Sequence, residues 1–135
     1  MISNDSVPLI SDDKLDSIYQ YEAAFYLFDT RTREEFNVSH LPGAVWIGEK
    51  DSLPQGINDS LPIVVYCSIG YRSGKAGERM LKAGFAEVYN LDGGIFHWVN
   101  AGKSIVNSKG VVTDSVHGYS PAWGSWIKEG TVVYE

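Results

Sequence analysis

Residues 63–67, Ile-Val-Val-Tyr-Cys, are apolar at every position, with Pro62 before them and the chain's one cysteine at their end. A strand with one face in water alternates apolar and polar residues, so a run without alternation needs cover on both faces. That is the position of a central strand in a parallel sheet with helices above and below. The next element follows from spacing. Over 73–85, Ala76, Met80 and Ala83 recur at helical intervals, Gly84 suits the residue beyond a helix C-terminus, and Phe85 suits the contact after it.

The remaining segments fit the same plan. Ser11 is placed to cap a helix that opens with Asp12 and Asp13 and carries Leu15, Ile18 and Tyr19 on one face. Residues 24–30 predict a buried strand with its polar residues at the C-terminal tip, and 33–40 a helical turn or two. Pro42 and Gly43 make a turn before a short strand, Ala44 to Ile47, and the acidic stretch 49–61 crosses the surface. A strand and turn over 86–94 lead to a last core helix over 95–103, with Ile95, Trp98 and Val99 inward and Gly102 stopping it. Short strands alternating with helices predict an α/β fold with a parallel sheet. The division expected is an N-terminal arm over 1–9, with the first ten residues loosely held, one domain over 10–103, and an ordered extension over 104–135 packed on the core.

At 135 residues there is room for one ordinary core. Eleven Lys and Arg face seventeen Asp and Glu, a net charge of -6. No basic run is present to follow a phosphate backbone, so no nucleic-acid partner is expected. No segment approaches the length of a membrane span, and the start lacks the basic-then-apolar pattern of a secretory leader. One cysteine excludes an intramolecular disulfide and suits a reducing compartment, which makes the cytoplasm the expected location. The oligomeric state is left open.

The cysteine raises the chemical question. A strand ending at Cys67, with a helix expected to start near Ser73, gathers the intervening N–H groups and the helix N-terminus around one point, with Cys67 at the entrance of that anion-binding nest. Gly70 permits the turn. An ordinary thiol ionises near pH ~8.5, and amides, helix terminus and Arg72 all favour its charged form, so a fall of about two units would make thiolate the majority species. By residue type alone, a cysteine after such a run is better explained as inert core filler. The Gly and Arg at this spacing favour a nucleophile that receives an anion. His40, His97 and His117 are far apart in sequence and Cys67 has no second thiol near it, so neither a metal site nor any cofactor is expected. The glycines of 70–77 do not match a phosphate loop or a dinucleotide fingerprint.

Taken together, residues 28–44, 64–94 and 95–98 resemble a single rhodanese domain: Asp29, Arg31, Glu35, His40, Gly43 and Ala44 upstream, the cysteine loop, then Gly93, Gly94 and Trp98. The resemblance implies a rhodanese-like sheet of about five short strands with helices on both faces. It also implies sulfurtransferase chemistry, in which Cys67 takes a sulfane sulfur from thiosulfate or a persulfide, holds it as a persulfide and passes it to cyanide or a thiol. Ser68, Ile69, Gly70, Tyr71, Arg72 and Ser73 would cradle that sulfur, with the amides of Ser68 through Arg72 facing it. Arg72 would hold the loop or meet an anionic donor, and Ser73 would cap the helix or donate to the sulfur. Asp29, Arg31 and His40 would be structural, for example through a carboxylate–guanidinium bond. Related phosphatases and arsenate reductases place five residues between cysteine and arginine, whereas four stand here, leaving less room for a tetrahedral oxyanion. Ile69 and Tyr71 replace the cations found beside the loop in strong thiosulfate users, which favours a protein or small-molecule persulfide as donor. The rival is a non-catalytic module of the same shape that binds a partner, supported by the aromatic tail around Tyr119, Trp123 and Trp126.

Overall fold

The computed structural model describes residues 7–134. Five strands, β1 (Leu9–Ile10), β2 (Tyr26–Asp29), β3 (Val45–Trp46), β4 (Ile63–Tyr66) and β5 (Val88–Leu91), form one sheet in the order β1-β5-β4-β2-β3. Every pairing in it is parallel. β4 takes the centre because it is the run without alternation. Val64 and Tyr66 face one apolar cluster, Ile63 and Val65 the other. Helix α1 (Asp12–Tyr21) and helix α4 (Gly94–Asn100) close the first cluster through Leu15, Ile95, Trp98 and Val99. Helix α3 (Tyr71–Lys82) closes the second through Met80. The expected α/β fold with helices on both faces is the observed one.

Local chemistry sets the helix ends. The Ser11 hydroxyl accepts from Lys14 N–H at the start of α1. Helix α2 (Arg33–Val38) opens on a capping box, in which Thr32 Oγ1 accepts from Glu35 N–H and the Glu35 carboxylate accepts from Thr32 N–H. Beyond α3, Gly84 at φ +103° lets its N–H reach Leu81 O while Phe85 N–H reaches Met80 O. Those are the two bonds of a Schellman cap.

Two expectations are corrected. Residues 7–10 were expected to be loosely held. Instead Val7 is buried and Leu9–Ile10 pair with Asn90–Leu91, so the arm's inner end is the sheet's fifth strand. Helix α3 also begins at Tyr71, not near Ser73, because Gly70 at φ +112° turns the chain directly into it without any side-chain cap.

The extension is ordered. It forms a hairpin, β6 (Ile105–Val106) with β7 (Val112–Thr113), and a parallel pair, β8 (Ser115–His117) with β9 (Thr131–Val133), around a single turn, α5 (Pro121–Gly124). Its Ile105, Val116 and Ile127 sit in the first apolar cluster beside Leu41, Trp98 and Val99. His40 and Val106 exchange both backbone hydrogen bonds, at 2.9 Å each, which fastens the hairpin to the core.

Candidate active site

Cys67 stands at the C-terminal tip of β4, where the chain must leave the sheet and enter α3 within four residues. The loop's carbonyls and amides are sorted by a neighbour. Cys67 O accepts from Ile95 N–H at 2.9 Å and Ser68 O from Phe96 N–H at 3.1 Å, both in the first turn of α4. This approach requires Gly94, which has φ +62°. A Cβ there would lie 2.5 Å from Ser68 O and 2.6 Å from Cys67 O. With those carbonyls held by α4, amides are left for the sulfur. Gly70 N–H donates to Cys67 Sγ at 3.1 Å and Ser73 N–H at 3.4 Å, with Ser73 Oγ 3.3 Å away.

The expected cradle is therefore present in altered form. Among the described residues, Gly70 supplies the one bond to Sγ from within the run Ser68 to Arg72, and the second comes from Ser73, one residue beyond it. Ser73 does not cap α3; its hydroxyl lies against the sulfur and 2.6 Å from Asn90 Oδ1. Cys67 does not sit at the entrance of the nest but beneath the loop, with 0% of its surface exposed. Ile69 is half-buried against the first apolar cluster and Tyr71 is exposed.

Arg72 holds the loop. Its guanidinium makes a fork to Glu35, Nη1 to Oε1 at 3.0 Å and Nη2 to Oε2 at 3.1 Å, and Nη2 also reaches Ser68 Oγ at 2.8 Å. Ser68 in turn donates to Glu35 Oε2 at 3.0 Å, closing a triangle over the buried side of the loop. Tyr119, from the extension, lays its ring 4.7 Å from the Arg72 guanidinium carbon. Burial alone would lower the Arg72 pKa, but the hydrogen bonds and charge of Glu35 outweigh it, and the shift is upward.

Burial likewise pushes the Glu35 carboxyl up, and the hydrogen bonds and charge of Arg72, with help from Thr32 and Arg31, reverse this and hold it at about 2. The folded value lies below the ordinary 4.5, so the stabilisation is complete above about pH 4.5 and is lost as pH falls through about 2. Its size is about 3 kcal/mol. We expect Glu35→Gln to flatten the dependence of the urea midpoint on pH between 5 and 2.5 relative to the native chain; parallel curves would contradict it.

The three residues expected to support the site lie beside it without reaching the sulfur. Asp29 and Arg31 form a fully buried ion pair at the tip of β2, with Arg31 Nη2 2.7 Å from Asp29 Oδ2 and 2.7 Å from Ser39 O. His40 stacks on Phe36 with ring centroids 3.9 Å apart and donates from Nδ1 to Phe36 O at 3.0 Å, in addition to its backbone bonds to Val106. Glu35, quoted in the motif but given no role, proves to be Arg72's partner. Asn90 carried no expectation, although a polar residue inside Val-Tyr-Asn-Leu was the available signal. Among the described residues no cluster of His, Cys, Asp and Glu could hold a metal ion.

A model of the rhodanese-like domain matches residues 11–101. The chain belongs to the rhodanese-like family. YrkF of Bacillus subtilis is 32% identical over 95 residues, covering 69% of this chain and 51% of YrkF. The adenylyltransferase and sulfurtransferase UBA4 of Meyerozyma guilliermondii is 33% identical over 106 residues, covering 68% of this chain and 25% of UBA4. This rhodanese-like chain thus spans about half the length, or less, of these curated relatives. Among solved structures, the rhodanese-like domain of the Alr3790 protein from Anabaena superposes with a TM-score of 0.68 at 27% identity, over 74% of this chain and 79% of that one.

Proposed function

We propose that this rhodanese-like protein is a sulfurtransferase in which Cys67 carries the sulfur. The observation that carries the reading is the pair of backbone N–H groups, Gly70 at 3.1 Å and Ser73 at 3.4 Å, aimed at Sγ at the start of a 12-residue helix. Donors fixed in this way favour charge on sulfur and need no reorganisation when charge develops during transfer. In the first step the Cys67 thiolate attacks the outer sulfur of the donor, the S–S bond of the donor breaks, and its electron pair leaves with sulfite or a thiolate. In the second, an acceptor thiolate or cyanide attacks the outer sulfur of the Cys67 persulfide and the thiolate is restored. Because Sγ is fully buried at rest, the loop must open for each attack. UBA4, which is named a sulfurtransferase, matches this chain over the cysteine loop's domain, and that likeness supports the same class of reaction.

The charge around the loop favours a persulfide over thiosulfate as donor. The recess beside it is lined by Thr30, Glu49, Tyr71, Arg72, Lys75 and Arg79. Arg72 is matched by Glu35, Arg79 by Asp51, and Lys75 lies 4.0 Å from Glu78. A dianion would find its cations already partnered. We expect kcat/KM with a small-molecule persulfide to exceed that with thiosulfate by about tenfold, roughly one charge-assisted contact; equal values would refute this preference. A free thiol suits a reducing compartment, and we place the protein in the cytoplasm.

The test of the reading is a mass spectrum after incubation with a sulfur donor. Mass should be added in steps of one sulfur and removed by cyanide, while an aryl phosphate should not be hydrolysed. An unchanged mass would point to the partner-binding module, and phosphate release without sulfur loading to the phosphatase relatives.

A further inference from the structure

Asn90 lies on β5 and is a buried polar residue, 3% exposed. Its amide is oriented by an acceptor. Nδ2 lies 2.9 Å from Gly70 O, a group that can only accept, so Oδ1 faces Ser73 Oγ at 2.6 Å. An amide oxygen cannot donate; the Ser73 hydroxyl hydrogen must therefore point at Asn90. Gly70 O, 3.2 Å from the same hydroxyl, is the weaker competitor for it, because it is farther than Asn90 Oδ1 and Asn90 Nδ2 and Gly74 N–H already occupy its two lone pairs. The Ser73 oxygen, 3.3 Å from Sγ, then offers the sulfur a lone pair and no hydrogen.

We propose that Asn90 is a positioning residue for the reacting sulfur: it takes the one hydroxyl hydrogen of Ser73, so the resting Cys67 S–H donates to Ser73 Oγ and the three groups form a relay. When the thiol loses its proton to solvent or to an incoming reactant, the Ser73 hydroxyl turns from Asn90 to the thiolate. Asn90 Oδ1 is then left without a donor. Ionisation of the sulfur is thus coupled to one hydroxyl rotation, and Asn90 opposes it. This rests on Cys67 being the reacting group, but it concerns the resting thiol and its proton, not the sulfur donor.

The charged and titratable groups that face the loop include Arg72 with its partners Glu35 and Tyr119, then Glu49, Tyr71, Lys75 and Arg79 around the recess beside it, and His97 next to Ile69. All are retained in the variants below, so their contribution cancels in a double-mutant cycle. With Asn90→Leu, which keeps the branching of the side chain and removes both the acceptor for Ser73 and the donor to Gly70 O, the rate of iodoacetamide alkylation at pH 7 should rise roughly three- to tenfold and its pH profile should move to lower pH. With Ser73→Ala the profile should move to higher pH, and Asn90→Leu in that background, where it acts only through the lost bond to Gly70 O, should shift the profile less than it does in the native chain. A wild-type profile in Asn90→Leu, or the same shift in both backgrounds, overturns the proposal. A second measurement needs no folded variant. Cys67 is the only cysteine, so the infrared S–H stretch of the native protein reports one bond, and it should lie at the position of a donated S–H. A free-thiol position there overturns the relay. Neither readout requires sulfur transfer, so a failed transfer assay and a failed relay are separate results.

Discussion

Cys67→Ser is expected to add no sulfur in the mass spectrum and to bring turnover with any sulfane donor down to the uncatalysed rate, a loss of at least about a thousandfold. The chain contains no second thiol to take over, and the hydroxyls nearest the site, those of Ser68 and Ser73, cannot form a persulfide. Serine is the informative replacement because it keeps the shape of a side chain that is fully buried. The cradle should survive, since its strongest ties are backbone bonds to Ile95 and Phe96 and the Arg72–Glu35 fork, none of which involves the sulfur. A circular dichroism spectrum and melting curve close to the native ones, together with absent transfer, would assign the loss to chemistry. Transfer retained above about one hundredth of the native rate would remove Cys67 from its role.

The second large effect is on stability. Asp29→Asn should cost about 3–5 kcal/mol, because it strands the Arg31 guanidinium in a site with 0% exposure on both partners. For a chain of this length that is a fall in Tm of about 10–18 °C. The pair is costly to break without being strongly stabilising in itself. Taking two charges out of water consumes most of their attraction, so Asp29→Asn combined with Arg31→Met should recover much of the loss. If the double variant melts below the single one, the pair contributes more than its geometry implies. Both effects are read from calorimetric melts, and the loop at Cys67 should be affected only through the fold.

Much of this architecture was legible because one physical rule dominated each segment. β4 declared itself by having no polar position, α1 by Ser11 and its acids, and the end of α3 by Gly84 followed by Phe85. β1 was not legible: two residues are too few for a period, and its pairing with Asn90 and Leu91 lies some eighty positions away. The start of α3 was misplaced because Gly70 leads into it through backbone freedom, leaving no capping side chain to mark the boundary. Half of Glu35's role was in the sequence as Thr-x-x-Glu, the signature of a capping box. Its other half, the fork to Arg72, joins residues 37 apart and has no local trace. The same is true of Asn90, whose chemistry depends on which atom of its amide meets Ser73.

The match to the rhodanese-like domain covers residues 11–101, yet Ile105, Val116 and Ile127 fill the same apolar interior as Trp98 and Val99. A fragment cut at that boundary would open a hole behind α4, the helix whose first turn grips the carbonyls of Cys67 and Ser68. Removing everything after residue 101 is therefore expected to loosen the cysteine loop from behind, so a stable fragment should include the strands and turn that follow.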